Sequence, residues 1–147
     1  MKCFLILFLI LPLVLTSKLV ELQVKTRDVA DAGMNYRNGS LGFTFCDFNN
    51  PNYCCTVTQI HSSLDIFQPG HLDGFTEELY DCYGMEINED EFWYLPITHW
   101  GSDTWFGQYA RILLDSGIYF HCPITDWMEY DFESKNIHCT IGIPSSN

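Results

Sequence analysis

The chain has 147 residues, with 19 Asp and Glu against 7 Lys and Arg and a formal net charge of −12 at pH 7. So acidic a protein cannot neutralise a row of phosphates, which excludes nucleic acid as a partner, and it approaches an anionic membrane only with a cation in between. Hydrophobic residues at 47% suffice at this length for one packed core and would leave two domains undersized.

The first predicted element is a leader. Met1-Lys-Cys is a positive start, and Phe4 to Leu15 is an apolar run of about a dozen residues, too short to span a bilayer comfortably. Thr16-Ser17 follow as small residues near a plausible cleavage point, so residues 1–17 read as a signal peptide and 18–147 as one secreted, extracellular domain; an uncleaved signal anchor is the competing reading. Of the seven cysteines, six follow Cys3: Cys46, Cys54, Cys55, Cys82, Cys122 and Cys139. An even number in an exported chain implies disulfides, and no CxxC pair supports a zinc cluster. Spacing alone leaves the pairing open. Neighbouring Cys54 and Cys55 would point to opposite faces of a strand and so take different partners; the expected set is Cys46–Cys54, Cys55–Cys82 and Cys122–Cys139.

Alternation of apolar and polar residues predicts strands over Leu19–Thr26, Leu41–Cys46, Tyr53–Ile60, Gly74–Leu79, Trp93–His99, Trp105–Leu114, Ile118–Cys122 and Ile137–Ile143. The breaks between them carry turn chemistry, at Asn49-Asn-Pro-Asn52, Gln68-Pro-Gly70, Asn88-Glu-Asp-Glu91 and Asp115-Ser-Gly117. About eight short strands without helical periodicity predict an all-β fold, a two-sheet antiparallel β-sandwich stabilised by disulfides. Asn38-Gly-Ser40 is a glycosylation sequon at a turn signal. Trp100 and Trp105 flank Gly101-Ser-Asp103 as candidates for partner contact, with packing between the sheets the alternative for Trp105.

The order of these segments resembles the PLAT (LH2, lipoxygenase homology) domain, found beside lipoxygenase and lipase catalytic domains and as small free-standing proteins. Leu22-Gln-Val-Lys-Thr26 is similar to its first strand and Asp31-Ala-Gly33 to its D-A-G-T loop, with Met34 in place of the threonine. Phe67-x-Pro-Gly-x-x-Asp73-x-Phe75 is similar to its F-x-x-G-x-x-D-x-F segment, and Leu95–His99, Asp103–Phe106, Tyr109–Ile112 and Tyr119–Trp127 follow in family order. The six cysteines and the insertion-like stretch from Cys46 to Cys55 are departures. The resemblance implies a non-catalytic module that contacts a membrane surface or a protein. It also implies calcium, held by Asp31, Gly33, Asp65, Asp103 and the carbonyl of Thr104, hard oxygen ligands of the kind that ion takes; the alternative is a solvated acidic surface.

Catalytic motifs are weaker. Five residues separate Cys55 from His61, too many for the Cys-Cys-x-x-His run of secreted phospholipases, and Gly39-Ser-Leu-Gly42 lacks a residue of the G-x-S-x-G elbow. His61, His71, His99, His121 and His138 have no metal-ligand spacing. A small secreted hydrolase, or a hydrolase inhibitor, is the runner-up.

Overall fold

The computed structural model describes residues 16–34, 39–76, 82, 85–89, 92–129 and 131–142, without the side chains of 57 and 58. The leader up to Leu15, the Asn38 sequon, and Glu77–Leu79 of the expected fourth strand lie outside the described residues.

Among the described residues, ten strands follow in chain order: β1 Thr16–Ser17, β2 Leu19–Thr26, β3 Gly39–Asp47, β4 Cys54–His61, β5 Leu72–Phe75, β6 Ile87–Asn88, β7 Trp93–Gly101, β8 Gly107–Leu114, β9 Tyr119–Pro123 and β10 Ser134–Gly142. All pairings are antiparallel. One layer runs β4-β3-β7-β10 and the other β10-β9-β8-β2-β5, because β10 belongs to both. Its first six residues, Ser134 to Cys139, pair with β7, and Thr140 to Gly142 then pair with β9. The sandwich therefore turns a corner within a single strand, and the disulfide Cys122–Cys139 ties β9 to β10 at that corner.

The period-2 alternation of β2, β7 and β8 places Leu22, Val24, Leu95, Ile97, Ala110 and Ile112 in a continuous core. Rings from the two layers meet there. Phe45 of β3 stacks on Trp93 with centroids 4.6 Å apart and meets Phe120 of β9 at 5.3 Å. Aromatic pairs contribute beyond their buried area, and these bind the two sheets where the strand alternation alone would only bring them near.

The departures from the sequence reading have physical causes. The expected strand at Gly74–Leu79 begins earlier, at Leu72, because Asp73 turns its carboxylate back to accept the Phe67 N–H at 2.9 Å while its backbone pairs with Val24. Trp105 is not part of β8: it forms an isolated bridge with Met128, held by two backbone hydrogen bonds of 2.9 and 2.8 Å. β10 starts three residues before the expected Ile137, since pairing with β7 carries it through polar residues that alternation does not mark. The short β1 pairs with β6, and the hydroxyls of Ser17 and Ser116 both donate to the buried Glu89 carboxylate. Thr16 and Ser17, assigned to the leader above, are thus hydrogen-bonded into the fold.

Candidate functional site

At the Gly101 end of the sandwich three loops converge: residues 27–34 after β2, 62–71 after β4 and 102–106 after β7. Main-chain hydrogen bonds join them. Phe106 N–H donates to Ala32 C=O at 3.0 Å, Arg27 N–H to Phe106 C=O at 3.0 Å, and Met34 N–H to Phe67 C=O at 3.0 Å. The Gln68 amide extends the clamp, its Nε2 lying 3.0 Å from the carbonyls of Met34 and Ser63. Gly33 has no room for a side chain, because a Cβ there would stand 2.5 Å from the Pro69 ring and 2.9 Å from the Phe67 carbonyl. The D-A-G loop and the Phe67 segment are pressed together at this glycine.

Phe67 is the strained centre of the arrangement, with φ of 58°. A bulky residue in left-handed backbone persists only where its surroundings over-determine it. Here Phe43, Phe75 and Trp105 surround its ring at 6.5, 5.8 and 6.0 Å, and Asp73 accepts its N–H. Burial raises the Asp73 pKa above the ordinary carboxylate value of 3.8, opposed by the Phe67 N–H, then by His71 and Lys25. Asp31 also has positive φ, at 63°, which Asp tolerates better than most residues.

The loops enclose an open cavity of about 610 Å³ lined by Asp31, Gly33, Met34, Leu64, Gln68, Pro69, Asp103 and Thr104. Four of the five expected ligand positions, Asp31, Gly33, Asp103 and Thr104, therefore line one wall system, although more than 70 residues separate the first from the last. Asp65 is not among the lining residues. It is exposed, its carbonyl is bonded to His71 Nδ1 at 3.0 Å, and Leu64, 72% exposed, takes the place beside the cavity. Among the described residues, no group of three or more His, Cys, Asp and Glu stands close enough to hold a metal ion. Two carboxylates with main-chain oxygens and water remain as a donor set.

The two candidate tryptophans part company. Trp105 is fully buried, 0% exposed, with its Nε1–H donating to Thr26 Oγ1 at 3.1 Å, so it is a core residue and is withdrawn as a contact residue. Its neighbours explain this, since the bridge to Met128 turns the indole inward against Phe67. Trp100 is half-buried on the outer face of β7, its ring laid over Gly42 of β3 and away from the cavity lining. Leu64 and Gln68 were missed by sequence reasoning. The Pro-Gly turn after Gln68 was a signal for a loop, but nothing in a lone Leu marks it as exposed.

Among the described residues, the cavity lining contains no serine, cysteine or histidine. Cys54 and Cys55, which stand before His61 in sequence, are closed in disulfides with Cys46 and Cys82.

No protein-family model matches the chain and no curated protein matches it by sequence. Its fold does match solved structures. A lipoxygenase variant carrying a short internal deletion, in complex with arachidonate, superposes with a TM-score of 0.55 at 13% identity, over 83% of this chain and 16% of that one. An α-toxin from Clostridium absonum gives 0.52 at 14% identity, over 83% of this chain and 31% of the toxin. The chain thus spans under a third of either neighbour. Taken with the strand order and the Phe67 segment, these matches show a PLAT/LH2-like β-sandwich.

Proposed function

We propose that the protein is a non-catalytic, secreted contact module that docks on a membrane surface or a protein through the Gly101 end of the sandwich. The observation that carries this reading is the convergence of Asp31 and Asp103 in one open cavity with Leu64 exposed at its edge. An apolar side chain standing beside oxygen donors suits an interface between hydrocarbon and polar headgroups. The three disulfides suit an oxidising compartment, and among the described residues no serine or cysteine stands beside a histidine in the cavity lining, which weighs against the hydrolase reading.

Calcium is the subsidiary part of the proposal. Asp31, Asp103 and main-chain oxygens of Gly33 and Thr104 fall short of the roughly 6–8 oxygens the ion takes, so water would complete the shell, and affinity would lie near the millimolar end of extracellular sites. Bound there, the cation would offset the repulsion between this acidic chain and anionic lipid.

Cosedimentation with phosphatidylserine and phosphatidylcholine vesicles, with calcium or chelator, tests the reading. Leu64→Ser should weaken vesicle association several-fold in either condition, and Asp31→Asn with Asp103→Asn should remove the calcium increment alone, with unchanged thermal transitions. Vesicle and protein capture indifferent to all three changes would remove this end of the molecule as the contact site.

A further inference from the structure

At the opposite end of β7 a second, smaller cavity of about 210 Å³ is lined by Phe48, Tyr94, Asn136 and His138. The register builds it: Tyr94 lies between Cys46 on β3 and His138 on β10, and Asn136 faces Pro96 one step further along. Phe48 closes the corner from the loop after β3. Its ring stands at 87° to that of Tyr94, with centroids 6.4 Å apart, and 5.9 Å from the His138 imidazole. That loop is fixed at both ends, by the Cys46–Cys54 disulfide and by the Phe48 N–H donating to the Phe92 carbonyl at 2.8 Å. The walls are therefore set before any ligand arrives, which reduces the ordering cost of binding.

The chemistry of the walls is mixed in a particular way. Three flat rings supply apolar faces, and the Tyr94 hydroxyl, the Asn136 amide and the His138 imidazole make no hydrogen bond among the described residues. Asn136 and His138 are exposed, so these groups face solvent from the outer surface. Among the described residues, no Asp, Glu, Lys or Arg lines the cavity. A volume equal to about seven waters, below the roughly 300–1,000 Å³ of sites for drug-sized ligands, admits one six-membered ring. A purely apolar occupant would leave the amide and hydroxyl desolvated without partners, a penalty that works against it. An anionic headgroup would find no cation in the lining and would meet the field of a chain with net charge −12.

We infer that this cavity is a binding site for a neutral sugar ring, such as the terminal residue of an uncharged glycan, whose C–H face lies on Phe48 or Tyr94 while its hydroxyls meet Asn136, His138 and the Tyr94 hydroxyl. The site is independent of the Asp31–Asp103 cavity, with the run of β7 from Tyr94 to Gly101, about 23 Å, between them. It would give the module a carbohydrate contact at one pole while the other engages a surface.

Saturation-transfer NMR on the disulfide-intact protein tests it, with methyl glucoside, methyl galactoside, methyl mannoside and N-acetylglucosamine as millimolar probes, beside an array of neutral and acidic glycans. The expected result is transfer to the ring protons of at least one probe, or retention of neutral glycans on the array. Asn136→Ala and Phe48→Ala should each weaken that signal by about tenfold, as losing one hydrogen bond or one stacked face does. Tyr94→Phe, which keeps the ring, should weaken it less than Tyr94→Ala. Since Phe48 and Asn136 are exposed, their variants should melt with the parent, so lost binding is separable from lost fold. Binding of no probe and no glycan, retention of acidic glycans alone, binding unchanged in Asn136→Ala and Phe48→Ala, or Phe48-dependent capture of phosphatidylcholine vesicles in place of sugar would each overturn the assignment.

Discussion

The two ends of the sandwich are held by different physics. Around Trp93 the loops are braced covalently: Cys46–Cys54 closes the loop after β3 and Cys55–Cys82 anchors the start of β4. Beneath them Phe45, Trp93 and Phe120 form a stacked core. Around Gly101 the loops have no disulfide and depend on main-chain hydrogen bonds, the Gln68 clamp, the close approach at Gly33 and a strained Phe67. A cross-link acts largely on the unfolded chain and tolerates local change, whereas a hydrogen-bonded loop cluster fails or holds as a unit. The braced end presents exposed rings, Phe92 at 73% and Phe48 at 54%, and the other presents carboxylates beside Leu64.

The largest effect on this contrast should come from the braced end. Replacing Cys55 and Cys82 together by serine opens a bridge of sequence separation 27 and should lower the unfolding free energy by roughly 3–4 kcal/mol, read as a shift of the urea midpoint. If the ends are independent, amide exchange in residues 27–34 and 62–71, measured relative to global opening, should stay as in the parent; a matching rise there would show one cooperative unit.

Gly33→Ala should act in the other direction. A methyl group 2.9 Å from the Phe67 carbonyl and 2.5 Å from Pro69 forces the two loops apart, at about 1–3 kcal/mol. Amide chemical shifts should move in the 27–34, 62–71 and 102–106 loops and leave Phe48, Tyr94 and His138 in place. Shifts confined to Gly33 itself would show that the loops are not interlocked there.

Asp73 gives the smallest and most specific test. Burial raises its pKa in the folded state, so its contribution to stability is fully present below the unfolded value near 3.8 and is lost as pH rises through the folded value. Asp73→Asn keeps an acceptor for the Phe67 N–H and removes the charge, so this segment of the stability–pH curve should flatten while stability at neutral pH is retained or rises. Asp73→Ala also removes the acceptor and should be about 1 kcal/mol less stable than Asp73→Asn at all pH values. Identical pH curves for parent and Asn variant would mean that Asp73 is not the titrating group.

Much of the architecture was legible in the chain itself. Period-2 alternation located β2, β3, β4, β7, β8 and β9 to within a few residues, because one buried face imposes that pattern on any strand. Opposite-facing Cys54 and Cys55 required different partners, and the structure pairs them with Cys46 and Cys82. Asp31 and Asp103 were singled out by the resemblance to the PLAT domain and share a cavity. What stayed hidden depended on contacts between distant segments. Trp105 begins a β-like run, yet its bridge to Met128 buries it. Leu72 and Asp73 sit in a polar stretch, yet β2 recruits them into a strand. Asp65 and Leu64 are adjacent, and only the path of the 62–71 loop decides which of them reaches the cavity.

The amino-acid sequence by itself determined the fold class, the strand positions and the chemistry available at each loop, because alternation, turn residues and cysteine placement are local or pairwise properties. Tertiary structure alone decided that β10 serves both sheets, that Gly33 locks two loops through a contact with Pro69, and that Phe48, Tyr94, Asn136 and His138 form one cavity. Those features arise from strand register and sheet curvature, which set distances between residues far apart in the chain.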